Sequence, residues 1–145
     1  IETGIDCREI ECAVLGNEKP EASITGEILP LHEFYSYEAK YLDPDGAKMN
    51  IPAKIPTRLS AEIRKSAGMG FKALNCNSMA RVDFFLEKKT NRFYLNEINT
   101  LPGFTSISMY PKLWAATGLE YHRLLDRLVE LALQRHREKS FIKTD

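Results

Sequence analysis

The stretch MARVDFFLEKKTNRFYLNEINTLPGFT, Met79 to Thr105, decides the fold and carries the polar chemistry of the chain. Two alternating runs flank a polar turn, Glu87 to Arg92, rich in Lys, Thr and Asn, which is the pattern of a β-hairpin. Successive strand residues point to opposite faces. In the first run Arg81, Asp83 and Phe85 therefore share one face, and Val82, Phe84 and Leu86 the other. In the second run Phe93, Leu95, Glu97 and Asn99 share a face, opposed by Tyr94, Asn96 and Ile98. Antiparallel pairing centred near Thr90 sets Asp83 opposite Glu97 and Arg81 opposite Asn99, so four polar groups gather on one face.

Two carboxylates and an amide oxygen on one face form a hard-oxygen set, which suits Mg²⁺ or Mn²⁺ rather than zinc. Magnesium keeps water or phosphate ligands, so two or three protein oxygens beside an open groove suit an ATP–Mg site. Glu97 lies between Asp83 across the strand and Asn99 two residues on, and can bridge two ions, about 3.5–4 Å apart in two-metal sites. Arg81 offers a planar, permanent cation that pairs phosphate oxygens bidentately. Directly after this strand Gly103, lacking a Cβ, lets its amide approach a developing oxyanion. Ser108, with the amides of Met109 and Tyr110, reads as a helix N-terminus suited to a substrate carboxylate. Together these parts suggest phosphoryl transfer to one carboxylate, with a second carboxylate-bearing substrate nearby. The same four residues also fit a solvated hairpin face whose cross-strand pairs are worth about 0.2–1 kcal/mol each. The residues alone leave both readings open.

Working outward, Arg8 to Leu15 (REIECAVL) reads as a strand with Glu9 and Glu11 on one face and Ile10, Cys12 and Val14 on the other. For Glu9 the residues favour an ordinary solvated strand face. Ala22 to Leu31 gives a second strand ended by Pro30. Phe34 to Tyr41 is dense in aromatics around Lys40, and no regular period holds from Leu42 to Pro56. A segment of that length suits a binding lid or a surface connection equally. Thr57 to Leu74 is an amphipathic helix with Leu59, Ile63, Ala67, Phe71 and Leu74 inward, weakened by Gly68 and Gly70. A further helix starts at Ser108, with proline in its first turn, and stops at Gly118. The last, Glu120 to Arg137, turns Tyr121, Leu124, Leu128, Leu131 and Ala132 to the core.

A chain of 145 residues suits one domain over 1–145, with its own core. The 20 Lys and Arg balance the 20 Asp and Glu, so no basic field argues for nucleic acid or an anionic membrane. No apolar run is long enough to span a bilayer. Cys7, Cys12 and Cys76 are odd in number and lack CxxC spacing, which fits a reducing cytoplasm better than a disulfide framework. The three histidines are scattered without ligand spacing. Beginning at Ile1 without Met, the chain reads as a piece of something longer.

The motifs ARVDFF and LNEINTLPGFT together resemble the second signature of the D-alanine–D-alanine ligases, members of the ATP-grasp family. REIECAVLGN resembles the family's ribose-contacting strand, YSYEAKYLDP its loop over the active site, and SISMYPKLW with GLEYHRLLDRLVELAL its C-terminal region. The resemblance implies an α+β fold: a mostly antiparallel sheet with flanking helices, set on one side, forming the C-terminal part of an ATP-grasp clamp. It implies ATP as co-substrate and two Mg²⁺ or Mn²⁺ ions held by Asp83, Glu97 and Asn99. By the same resemblance, Arg81 stabilises the transferring phosphoryl group and the Gly103 amide sits in an oxyanion hole. Glu9, Lys40, Phe85 and Asn96 are implied in ATP binding, and Tyr41, Ser108 and Met109 in substrate binding. The Tyr41 loop favours dipeptide over D-lactate ester formation. The implied reaction phosphorylates one D-alanine and joins it to a second for peptidoglycan, in a cytoplasmic homodimer. The alternatives are another ATP-grasp ligase or a non-catalytic nucleotide- or metal-binding remnant. Asn75 to Ser78 departs from the family's glycine-containing turn, and Gly68 and Gly70 replace helix formers. The family's N-terminal domain, glycine-rich phosphate loop and adenine hinge would lie upstream of Ile1.

Overall fold

The computed structural model describes residues 4–30 and 47–140. Its strands are β1 (Cys7–Gly16), β2 (Glu21–Pro30), β3 (Ala47–Asn50), β4 (Ser78–Glu87) and β5 (Phe93–Asn99). Its helices are α1 (Thr57–Ala73), α2 (Met109–Thr117) and α3 (Tyr121–Ser140). The strands form one sheet, ordered β3-β2-β1-β4-β5, with every neighbouring pair antiparallel.

β1 lies at the centre, which explains why its sequence turns wholly apolar. Ile10, Cys12 and Val14 enter one core, and Ala13 and Leu15 the other. Helices cover both faces rather than one, as a strand with two apolar faces requires. On the first face α1 brings Ile63, Ala67 and Phe71 against Val82, Phe84 and Leu86 of β4. Each such fully buried large side chain contributes about 1.5–3 kcal/mol. On the second face, Tyr110, Leu113 and Trp114 of α2 and Leu124 and Leu131 of α3 pack over Ala13, Leu15 and Ile28. Tyr121 and Ala132 are exposed rather than inward. On α3 the contact follows Leu124, Leu128 and Leu131, a narrower stripe than the sequence suggests.

α1 ends in a Schellman motif: the Cys76 amide donates to the Phe71 carbonyl and the Asn75 amide to that of Lys72. Asn75 takes φ 53° there, and Ser78 takes φ 66° before β4. Both occupy the left-handed region that glycine enters without penalty. The segment without sequence period contains β3, a four-residue edge strand pairing Ala47–Asn50 with Glu27–Pro30. Beyond it, the Ala53 amide donates to Thr25 O at 2.8 Å.

Arg8 pairs with buried Glu27 through a bidentate fork of 2.7 and 2.8 Å. Its guanidinium also donates to Lys54 O at 3.0 Å, and Asn50 donates to the same carboxylate at 3.3 Å. The Arg8 hydrogen bonds hold the Glu27 carboxyl below its ordinary pKa, against the opposing effect of burial.

A candidate metal and phosphate face

At its polar end the hairpin has the register expected for a turn centred near Thr90. Arg81 faces Asn99, and Asp83 faces Glu97. The register then shifts between Asp83 and Phe84, so that Phe84 faces Leu95 and Leu86 faces Phe93. Asn96 is the extra residue, a β-bulge that reverses the alternation of β5. Phe93 consequently packs into the α1 core with Ile98, instead of sharing a face with Glu97 and Asn99. The bulge leaves the polar end of the hairpin as expected and turns its apolar end over.

Adding β1 completes the face, because Glu9 lies opposite Phe85, Glu11 opposite Asp83 and Ala13 opposite Arg81. Three rows then cross β1, β4 and β5: Glu9–Phe85–Tyr94, Glu11–Asp83–Glu97 and Ala13–Arg81–Asn99. Asp83 receives both prongs of a fork from Arg81, from Nε and a terminal nitrogen, each at 2.8 Å. Glu11 stands 3.2 Å from Arg81 Nε, and Glu97 3.9 Å from a terminal nitrogen. Burial alone would lower the Arg81 pKa. The Asp83 hydrogen bonds and the charges of Glu11, Asp83 and Glu97 outweigh it and push it above its ordinary value. Glu11 is a member that the sequence alone presents as a plain strand residue. Its signal was present in the alternation, which put it on the same face as Glu9.

The turn after β5 is built by side chains. Asn99 Oδ1 accepts from the Leu101 amide at 3.1 Å. A Cβ on Gly103 would stand 2.9 Å from Ser108 Oγ, so glycine permits that close approach. Ser108 is the N-cap residue of α2 in extended backbone, but its hydroxyl does not cap the helix. It accepts from the Thr105 amide at 3.0 Å and lies 2.8 Å from Thr105 Oγ1, tying the Gly103 turn to the start of α2. Met109 is buried, its sulfur pressed against Gly26 of β2, where a Cβ would be only 2.9 Å away. Tyr110 donates its hydroxyl to Val14 O at 2.9 Å and fixes α2 to β1.

The structure thus brings together Arg81, Asp83, Glu97 and Asn99, sets Glu9 and Phe85 in the adjoining row, and joins Gly103 to Ser108. Asn96 sits in the bulge, and Lys40 and Tyr41 lie outside the described residues. The oxygens of Asp83, Glu97 and Asn99 are the donor type that magnesium takes. Among the described residues there is no group of three or more His, Cys, Asp or Glu disposed as a metal site.

A family model described as "D-ala D-ala ligase C-terminus" matches residues 1–130. The chain is 58% identical over 139 residues to the D-alanine–D-alanine ligase of Solibacter usitatus, covering 96% of this chain and 42% of that protein. The solved D-alanine–D-alanine ligase from Coxiella burnetii gives a TM-score of 0.82 at 45% identity, over 96% of this chain and 35% of that one. The Bacillus anthracis ligase, solved in complex with ATP, gives 0.75 at 33% identity, over 95% and 43%. Sheet, helices and polar face together make the C-terminal part of an ATP-grasp fold. The chain belongs to the D-alanine–D-alanine ligase C-terminal family and spans about two fifths of the length of the curated relatives it matches.

Proposed function

We propose that this chain supplies the C-terminal part of an ATP-dependent ligase that joins two D-alanines into D-alanyl-D-alanine for peptidoglycan precursors. The observation that carries the reading is the row Glu11–Asp83–Glu97 with Arg81 beside it, the Glu97 strand running through Asn99 directly into the Gly103–Ser108 turn. A site for phosphoryl transfer between carboxylates needs those parts adjacent: hard oxygens for a cation, a guanidinium for phosphate, and donors for an oxyanion and a carboxylate.

Asp83, Glu97 and Asn99 would hold Mg²⁺ or Mn²⁺, two ions with Glu97 common to both. The metal supplies charge neutralisation on the polyphosphate. The carboxylate of the first D-alanine attacks the γ-phosphorus of ATP, the bond to ADP breaks, and an acyl phosphate forms. Arg81 neutralises the transferring phosphoryl group through its planar edge. The amine of the second D-alanine then attacks the acyl carbon, and phosphate leaves. The Gly103 amide donates to the tetrahedral oxyanion, and Ser108 with the Met109 amide holds the second substrate's carboxylate. Glu9 accepts from the ATP ribose, with Phe85 and Asn96 in the same nucleotide groove. Lys40 contacts phosphate, and Tyr41 orders the covering loop for a D-alanine acceptor.

The rest of the clamp is expected in the longer protein, a cytoplasmic homodimer without nucleic-acid or membrane partners. Among the described residues no helix is long and apolar enough to cross a membrane. Supplying the full-length protein with ATP, Mg²⁺ and D-alanine should yield D-alanyl-D-alanine by mass spectrometry, with one phosphate released per dipeptide. Absence of dipeptide, with phosphate release independent of D-alanine, overturns the reading. Residues 1–145 alone are expected to give no sustained phosphate release.

A further inference from the structure

We infer that Glu11 is a positioning residue for Arg81, the anchor that keeps its guanidinium on the phosphate side when Asp83 and Glu97 turn to a cation. The inference rests on the ligase reading above and concerns a residue to which that reading gives no role of its own. Glu11 is 7% exposed and sits at the centre of the sheet, between Gly26 of β2 and Asp83 of β4. Its carboxylate reaches Arg81 Nε at 3.2 Å from the neighbouring strand.

The geometry around Arg81 makes a division of labour necessary. Both carboxylate oxygens of Asp83 are engaged by the Arg81 fork. A cation that draws on Asp83 competes for those oxygens and weakens the fork. Glu97, exposed at the sheet edge and 3.9 Å away, is called upon by the same cation. Arg81 would then stand largely buried, its side chain 18% exposed, with two partners committed elsewhere. A buried guanidinium needs a counter-charge, or it swings towards water. Glu11 remains in place because it belongs to the central strand and is shut from solvent. Holding Arg81 at Nε, it leaves the edge formed by the two terminal nitrogens for phosphoryl oxygens.

The test uses the full-length enzyme. Glu11→Gln keeps the volume and an acceptor oxygen but removes the charge. It should lower kcat by about tenfold or more, the scale for partners standing behind site residues, with KM for ATP and D-alanine within about twofold of the parent. In an Arg81→Lys background the same change should cost less than about twofold more, because its effect runs through Arg81. An equal loss in both backgrounds marks Glu11 as merely structural and overturns the inference. Independently of turnover, the ¹⁵N-detected Nε–H signal of Arg81, assigned by its loss in Arg81→Lys, should be protected from exchange with Mg²⁺ and a non-hydrolysable ATP analogue bound. Glu11→Gln should remove that protection, and unchanged protection overturns the inference. Should Glu11→Gln not fold, Glu11→Asp, which draws the charge back, takes its place in both measurements. A parent that makes no dipeptide defeats the ligase reading instead, and the Nε–H comparison with Mg²⁺ and the ATP analogue, which needs no turnover, still reports on the Glu11–Arg81 pair.

Discussion

Two arginines in this sheet hold carboxylates in bidentate forks of nearly equal length, yet they sit in opposite circumstances. On the α1 face Arg8 meets Glu27, and the remaining polar atoms find Lys54 O and Asn50. One cation answers one carboxylate, and the cluster fastens the segment after β3 to the sheet. On the other face Arg81 meets Glu11, Asp83 and Glu97, three carboxylates around one guanidinium among the described residues. Charges balanced within the protein need nothing further. Carboxylates in excess of their cation, gathered on a sheet face, are held against mutual repulsion and become useful once another cation arrives. Similar forks thus serve as a fastener in one place and, on the proposed reading, as part of a binding face in the other.

The largest expected contrast comes from removing one charge on each side. Glu97→Gln in the full-length protein should cut kcat by at least about 10²-fold, the scale for losing a major electrostatic contributor. Its side chain is 57% exposed and its loss relieves like-charge crowding, so the urea midpoint should stay at or above the parent's. Arg8→Met should do the reverse, lowering stability by about 3 kcal/mol as Glu27 is left buried without its cation. The kcat of the folded enzyme should not move. If Arg8→Met abolishes turnover while the fold survives, the two clusters do not divide structure from function.

The same division has a pH signature. The Glu27 carboxyl is depressed in the folded state, mainly by Arg8 hydrogen bonds. Its contribution is therefore present above the unfolded value, about 4.3 for a glutamate, and is lost as pH falls through the lower folded value. Urea midpoints taken from about pH 5 down to about pH 3 should fall more steeply for the parent than for Glu27→Gln. Parallel slopes would remove the Arg8–Glu27 pair from the account of acid stability.

At the end of the site the expected effect is smaller. Gly103→Ala places a methyl 2.9 Å from Ser108 Oγ, which is itself held by the Thr105 amide and hydroxyl. The turn must shift by a few tenths of an ångström. Steady-state kinetics should show a loss of about tenfold, the cost of displacing an oxyanion donor slightly rather than removing it. Adding Ser108→Ala should not restore the rate if Ser108 also holds substrate, whereas relief of a steric clash alone would restore it.

How far the sequence carried is clearest along the hairpin. Alternation set Arg81 and Asp83 on one face, and the expected pairs Asp83–Glu97 and Arg81–Asn99 are present. The turn, however, closes Glu87 against Arg92, one residue off the expected register, and the extra residue at Asn96 restores those pairs. The bulge at Asn96 was hidden, since an extra polar residue on an edge strand resembles another member of the alternation. β3 was hidden for a different reason. Ala47-Lys48-Met49-Asn50 has little strand preference of its own, and its pairing comes from β2. Glu11 was visible as a residue on the right face, but its burial follows from the centrality of β1, a tertiary fact. Ser108 was legible as a helix start, though its hydroxyl serves Thr105 instead of the helix. Lys40 and Tyr41 lie outside the described residues.

The finest test of the comparison lies in two glycines of α1, on the face that serves structure alone. Nothing stands within 4 Å of a Cβ built on Gly68, whereas one on Gly70 would lie 3.1 Å from Ile98 Cδ1 and 3.1 Å from Leu95 Cδ1. Each glycine costs a helix interior up to about 1 kcal/mol relative to alanine. Gly68→Ala should recover about 0.5–1 kcal/mol in urea denaturation, because the gain in helix preference meets no obstacle. Gly70→Ala should recover less or nothing, since the tips of Ile98 and Leu95 must move, and those residues flank the bulge that orients Glu97. Equal gains at both positions would mean that β5 yields to α1 freely. A loss confined to Gly70→Ala, accompanied by a fall in kcat, would show that the structural face sets the height of the strand carrying Glu97.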